Sequence, residues 1–337
     1  MKREPRICIA GMGAIGSLLA ASLSSRSANL SLVARGDTLR TLQQNGLTCR
    51  KGGQVTTFRV SADVRAPDEI QDVILLAGKA HHLPDLVQTI RHAVGPQTCV
   101  VPVVNGVPWW LLPQLGIGSE AVASVNSILD PENRLSALPL TSIVGCVAYA
   151  FAKVEKPGDV SVEGPSCFVI GDAVGRTNTH ARTVIGWLGE KDALFQISSD
   201  IKKEVWNKLS LNVATNFLSV LCEITLEGLV ADAAIRPLVS QCLSEILMLG
   251  HACSIEGLCP VPKGMEIISA GGTHATSMLQ DFRAGRPLEL AALGDVIIAL
   301  GRHTGVSLPT IETLLGLTRY VSTRRHTTHT KGILHVH

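Results

Sequence analysis

As far as Ser198, apolar residues fall in short bare runs set between glycines and polar turns. Ile7-Cys8-Ile9-Ala10, Leu30-Ser31-Leu32-Val33-Ala34, Val73-Ile74-Leu75-Leu76 and Cys99-Val100-Val101 show almost no alternation, which marks parallel strands buried on both faces. Ser17 to Leu23 and His82 to His92 carry helical spacing between them. A strand, a helix and a second strand within about thirty residues form a βαβ unit, whose strands need a crossover. Pro102 weakens the run that continues to Val104. Residues 46–60 read as a β excursion around Lys51-Gly52-Gly53, and 143–151, 159–163 and 167–171 as meander-like additions to the sheet. After Ser198 the spacing turns helical over 200–221, 231–256, 277–284 and 288–304, with Pro260, Pro262, Pro287 and Pro309 at the boundaries. The pattern predicts a doubly wound α/β domain over 1–199, an all-α domain over 200–325 and a frayed polar tail over 326–337.

Composition narrows the function classes. The chain has 337 residues, 46% of them apolar and 17% charged, which suits two folded domains and excludes a disordered chain. Thirty basic against 28 acidic side chains give a net charge of +2, and aromatics are only 4%. Neither a basic surface for a nucleic-acid backbone nor a base-stacking platform is expected. No apolar stretch reaches the roughly 18 residues of a membrane span, and the charged start lacks the form of a signal peptide. Nine cysteines occur without a CxxC pair, so no zinc ribbon or dithiol redox centre is written here. They read as reduced thiols of a cytoplasmic protein. No metal site is expected: His81, His82 and the four tail histidines lack defensible ligand spacing.

Gly11-Met12-Gly13-Ala14-Ile15-Gly16 is a G-x-G-x-x-G loop between a predicted strand and a predicted helix. In that setting Gly11 makes the tight turn, Gly13 lets backbone approach a pyrophosphate, and Gly16 lets helix pack on strand. The helix N-terminus offers N–H donors to phosphate. The second strand ends in Arg35, where an acidic residue would hold the free ribose of NAD; a guanidinium there suits the 2′-phosphate of NADP(H). Asp37 lies two residues on. Lys79 and Asn105 stand at two further strand ends, the edge where ligands bind in such sheets. Lys79 is either a cofactor contact or a surface lysine; Asn105 either binds nicotinamide, ribose or substrate, or simply turns the chain with Gly106.

Lys208, Asn212 and Asn216 recur at four-residue spacing within an otherwise apolar helix. An ammonium and two carboxamides therefore share one face, and burying them without partners is costly. A ligand lining that face resolves the conflict. Ser277 opens a later helical run, as a ligand contact or its N-cap, and Glu289 falls in the first turn of another, as a catalytic group or a dipole partner.

Taken together these motifs resemble the ketopantoate reductase (2-dehydropantoate 2-reductase) family, in order along nearly the whole chain. Its specific parts are Lys208-Leu209-x-x-Asn212-x-x-x-Asn216 and Ser277-Met278-x-x-Asp281 with Glu289. The resemblance implies an N-terminal Rossmann domain, a C-terminal helical domain and a cleft between them. It implies NADPH-dependent reduction of a small 2-oxo acid, for ketopantoate the step to pantoate. It implies Lys208 as general acid with Glu289 beside it; Asn105, Asn212, Asn216, Ser277 and Glu289 as substrate contacts; and Gly11 to Gly16, Arg35, Lys79 and Asn105 as cofactor contacts. The chemistry is coherent, since hydride arriving at a ketone leaves an alkoxide that an ammonium stabilises and protonates. Glu289 either keeps that ammonium charged or accepts from a substrate hydroxyl. Where well-known members carry an acid two residues after the glutamate, then Asn-Gly, this chain has Ala291 and Gly294-Asp295; an asparagine before the serine is His274, and Trp109-Trp110 add bulk. These departures leave open a related reductase of another 2-oxo acid. A non-catalytic NADP(H) sensor would not need the lysine, and an opine-type dehydrogenase would lack the stripe. Helical second domains often dimerise, so a homodimer is one outcome the sequence leaves open; no nucleic-acid or membrane partner is expected.

Overall fold

The structure, a computed structural model, describes residues 4–24, 29–175, 177–189 and 194–333, and side chains as far as Arg324. The chain divides into two compact units, residues 1–104 with 132–204, and residues 105–131 with 205–337.

In the first unit, β1 (Ile7–Ala10) leads through the glycine loop into α1 (Ala14–Ser24), then β2 (Leu30–Val33) and α2 (Gly36–Asn45). The hairpin β3 (Leu47–Lys51) and β4 (Gln54–Phe58) turns at Gly52-Gly53, both at positive φ. Next come β5 (Ser61–Asp63), β6 (Val73–Leu76), a single 3-10 turn at Ala80–His82, α3 (Leu83–Ile90) and β7 (Cys99–Pro102). The order β5-β2-β1-β6-β7 is parallel throughout. All four residues of β1 and of β6 are fully buried, which is why these segments carry no polar alternation. The order switches direction at β1, where β2 lies on one side and β6 on the other, and this switch point opens a crevice at the strands' carboxyl ends. Pro102 closes β7, a position where a missing N–H costs no interior ladder bond.

The chain then contributes α4 (Ser119–Asn126) to the second unit and returns as β8 (Val144–Tyr149), β9 (Ala152–Lys156), β10 (Asp159–Val162), β11 (Cys167–Asp172), α5 (Thr179–Leu188) and β12 (Phe195–Ile197). The expected meander is corrected here. β9 and β10 join the β3–β4 hairpin in the order β4-β3-β10-β9, while β8, β11 and β12 form a three-stranded sheet. Isolated parallel bridges from Val100 to Ile143 and from Val103 to Cys146 set that second group beside β7. The four-stranded sheet packs on α1, so Leu18, Leu19, Ala20, Ala21 and Leu23 are buried all round.

The second unit is built on α6 (Ile201–Cys222), whose Trp206, Leu209, Val213, Ala214 and Phe217 are buried. Around it lie α7 (Leu226–Ala231), α8 (Arg236–Ala252), α9 (Val261–Ala270), α10 (Ser277–Arg283), a π-helical turn (Ala291–Asp295), α11 (Val296–Thr304) and α12 (Pro309–Ile333). Residues 105–131, placed by sequence with the α/β domain, cluster here instead: Trp110, Leu111 and Leu112 are buried, and α4 packs on α11. The span 231–256 is broken at the turn 232–235, where Asp232 caps α8's entry by accepting from Ala234 N and Ile235 N. The backbone expected to fray from 326 is helical through Ile333; residues 334–337, and the tail histidine side chains, lie outside the described residues. Buried Glu245 of α8 holds the start of α12, accepting from Thr310 N and Ile311 N at 3.0 Å each.

Candidate active site

The glycine loop has the geometry its spacing predicts. Gly11 sits at φ +96°, and a Cβ there would meet Ala77 O at 2.9 Å. A Cβ on Gly16 would overlap Gly11 O, so only glycine lets α1 start so close to β1. Gly13 is the reverse: exposed, with nothing within 4 Å of a Cβ. Two glycines are thus fixed by the protein, while the third leaves room for something outside it. Met12, Ala14 and Ile15 complete the turn, half-buried. A pyrophosphate fits that cradle, with the α1 N-terminus supplying N–H donors.

Arg35 follows β2 with extended backbone (φ −140°, ψ 162°) and lies exposed at the start of α2. Asp37, the acid that would favour a free ribose, is ion-paired with Arg40 one turn along α2. Lys79 is half-buried just past β6, and begins the 3-10 turn that carries His81 and His82. Burial, then His81, Arg35 and Lys79, push the His82 imidazole below its ordinary value, with Asp85 acting the other way.

The second unit holds the remaining candidates. Along α6 the stripe deepens: Lys208 and Asn212 are half-buried and Asn216 is 2% exposed. Asn216 Nδ2 is buried with no hydrogen-bond partner among the described residues. One turn on, Ser219 Oγ donates to Asn216 O at 2.9 Å and shares a 2.6 Å hydrogen bond with Thr276 Oγ1. With the Ser219 proton on Asn216 O, Thr276 is the donor of the shared bond. Thr276 Oγ1 also accepts from Leu279 N at 3.1 Å and is the N-cap of α10. The cap is therefore Thr276 and not Ser277, which lies exposed at the first helical position. Its hydroxyl is not used in capping. Sequence reading missed Ser219 and Thr276; the adjacent Thr-Ser pair before an apolar run was the available signal.

Asn105 Nδ2 donates to Glu289 Oε2 at 3.2 Å, across 184 positions of sequence. The turn at Gly106 (φ +90°) packs against the π-helical turn, where a Cβ would meet Ala292 O at 2.8 Å. Glu289 stands just before that turn, and its carbonyl accepts from Leu293 N at 3.1 Å. Short π-helical turns occur frequently at functional sites, and this one directly follows a candidate residue. Asp295, the second residue of the Gly294-Asp295 pair, is engaged by α12: both its oxygens accept from Arg319 Nη2, at 2.6 and 2.8 Å. Among the described residues no group of three or more His, Cys, Asp or Glu is arranged to hold a metal ion.

Known proteins fit this arrangement. The family model described as "Ketopantoate reductase PanE/ApbA" matches residues 7–175, and its C-terminal counterpart matches residues 200–322. The chain belongs to the ketopantoate reductase family. A curated 2-dehydropantoate 2-reductase of Mesorhizobium japonicum is 33% identical over 326 residues, covering 95% of this chain and 98% of the relative. One from Pyrococcus abyssi is 23% identical, covering 93% and 96%. A crystal structure from Ralstonia solanacearum MolK2, provisionally assigned as a ketopantoate reductase, has a TM-score of 0.87 at 29% identity, covering 96% of this chain and 99% of that one. The ternary structure of a D-mandelate dehydrogenase with NADH and anilino(oxo)acetate has a TM-score of 0.81 at 20% identity, covering 94% and 98%. The ketopantoate reductase fold expected from sequence, a Rossmann-type domain followed by a helical one, is what the structure has. By this membership the chain is an NAD(P)H-dependent oxidoreductase. No helix among the described residues is long and apolar enough to cross a membrane.

Proposed function

We propose that this ketopantoate reductase family member reduces 2-dehydropantoate to pantoate with NADPH, Lys208 acting as general acid. The observation that carries the reading is the α6 face, an ammonium followed by two carboxamides and ending in a buried N–H donor with no partner among the described residues. Such a donor is costly in the free protein and is repaired by a ligand oxygen.

The bound dinucleotide supplies a hydride to the ketone carbon. Gly11 to Gly16 hold its pyrophosphate, and Arg35 and Lys79 hold its 2′-phosphate. Lys208 Nζ stabilises the oxygen that becomes an alkoxide and gives it a proton. Asn216 Nδ2 donates to a substrate oxygen, and Asn212 and Ser277 add neutral donors that orient the acid without competing charge. Asn105 orients Glu289 by donating to its Oε2, and the Glu289 carboxylate accepts from the substrate hydroxyl. A site built around such an acceptor discriminates strongly against an analogue lacking the hydroxyl.

A second reading keeps the mechanism and changes the acid. Ala291 and Gly294 in the π-helical turn offer no polar atom beyond Glu289, and Asp295 is held by Arg319. A less hydroxylated 2-oxo acid suits that apolar turn, and D-mandelate dehydrogenase shares the fold. The test is kcat/KM for ketopantoate against 3-methyl-2-oxobutanoate, which lacks only the hydroxymethyl group. A preference for ketopantoate of roughly a hundredfold or more supports the first reading. Equal or reversed preference moves the chain to the second.

A further inference from the structure

The cationic ends of two strands leave one group without a role in the reading above. β2 and β6 both pair with β1, in registers that align Val33 and Leu76 with Ala10. Arg35 follows two residues past the first end, and Lys79 three past the second. The chain then folds back, with His82 N donating to Lys79 O at 2.8 Å. That turn sets the His82 ring beside His81, their centroids 4.1 Å apart. The same turn abuts the glycine loop: a Cβ on Gly11 would meet Gly78 N at 3.1 Å, and one on Gly78 would meet His82 Cβ at 3.7 Å. His82 also occupies the N-cap of α3 without capping it through its side chain.

Resting on the NADP(H) reading, we infer that His82 joins Arg35 and Lys79 around the 2′-phosphate of the dinucleotide and takes up a proton as it binds. The electrostatic surroundings explain why the proton arrives with the ligand. In the free protein burial disfavours a charge on His82, and His81, Arg35 and Lys79 add to it. Asp85, the carboxylate acting in the opposite direction, is ion-paired with Arg134 at 2.6 Å from the neighbouring 3-10 turn. Arg91 and His92 stand at the far end of α3, where His92 Nε2 contacts Ala66 O. Cys8 in β1 is held neutral by burial, its thiol pushed up to about 11. A phosphate dianion set among these cations reverses the balance, and imidazole becomes imidazolium. Affinity for a 2′-phosphate then rises as pH falls, whereas affinity for a dinucleotide lacking it does not.

Calorimetric titration of the full chain with 2′-AMP and 5′-AMP, at about pH 6 and pH 8, reads this directly. Both probes carry a titrating phosphate, so their affinity ratio isolates the protein's share. In the wild type the preference for 2′-AMP is expected to rise roughly three- to tenfold on going to the lower pH. In His82→Gln the preference at the higher pH persists and the rise disappears, with 5′-AMP affinity unchanged as the control for folding. An equal rise in the variant, or an equal loss for both nucleotides, overturns the assignment of His82 and leaves the NADP(H) reading standing. Equal wild-type affinity for the two nucleotides at both pH values overturns the NADP(H) reading, and this inference with it.

Discussion

Asn216→Leu is expected to make the protein more stable and the enzyme worse. Leucine keeps asparagine's branching at Cγ without its polar atoms, and the site is 2% exposed. The wild-type Nδ2 is buried with no partner among the described residues, a state that costs ~1–3 kcal/mol. Removing it returns about that much, and at ~2–4 °C per kcal/mol for a unit of this size the melting temperature rises by roughly 2–12 °C. The same change deletes the donor assigned to a substrate oxygen, so kcat/KM falls by about ten- to a hundredfold. Asn207→Leu, about two and a half turns nearer the start of α6, is the control. Asn207 Oδ1 accepts from Cys259 N at 2.9 Å, and the substitution orphans that N–H. Its melting temperature should therefore fall by a comparable amount. Differential scanning calorimetry and steady-state kinetics on the two variants read both effects. A lower melting temperature for Asn216→Leu, or an unchanged kcat/KM, refutes the reasoning.

Three further outcomes are expected. Gly13→Ala leaves thermal stability unchanged within about 1 kcal/mol, because its Cβ meets nothing, yet weakens NADPH binding in a fluorescence titration; Gly16→Ala, whose Cβ overlaps Gly11 O, loses stability as well. Glu245→Gln lowers stability by ~1–3 kcal/mol in urea unfolding with KM unchanged, since one α12 N–H loses its charged acceptor. Burial pushes the thiols of Cys8, Cys99 and Cys253 up to about 11 and that of Cys242 to about 12. These groups ionise first in the unfolded chain, from about pH 9, so stability present below that pH is lost as pH rises toward their folded values. Alkaline titration by circular dichroism should show unfolding beginning above about pH 9, preceded by no fast labelling of these four cysteines.

What the sequence made legible was periodicity and local chemistry. Bare apolar runs gave β1, β2, β6 and β7 because strands buried on both faces need no alternation, and the glycine spacing gave the loop because backbone overlap leaves no other residue there. The Lys208–Asn216 stripe showed itself because asparagines are out of place in an apolar helix. Long-range pairings stayed hidden. Nothing local says that β10 pairs with β3 in parallel, that residues 105–131 pack with the helices, or that Asn105 reaches Glu289. Of the two roles left open for Ser277, that of N-cap belongs instead to Thr276, one residue earlier and chemically equivalent as a cap, whose Oγ1 accepts from Leu279 N. The π-helical turn after Glu289 has no sequence signature of its own.

The central claim is Lys208-assisted reduction of a 2-oxo acid, and its most direct test compares wild type with Lys208→Met. The readout is the absorbance of reduced nicotinamide with NADPH and ketopantoate, beside a separate NADPH binding titration. The account predicts saturable turnover in the wild type and a fall in kcat of about 10²–10⁴ in the variant, with NADPH affinity retained. Absence of turnover with ketopantoate and every other 2-oxo acid tried, or a variant as fast as the wild type, would contradict it.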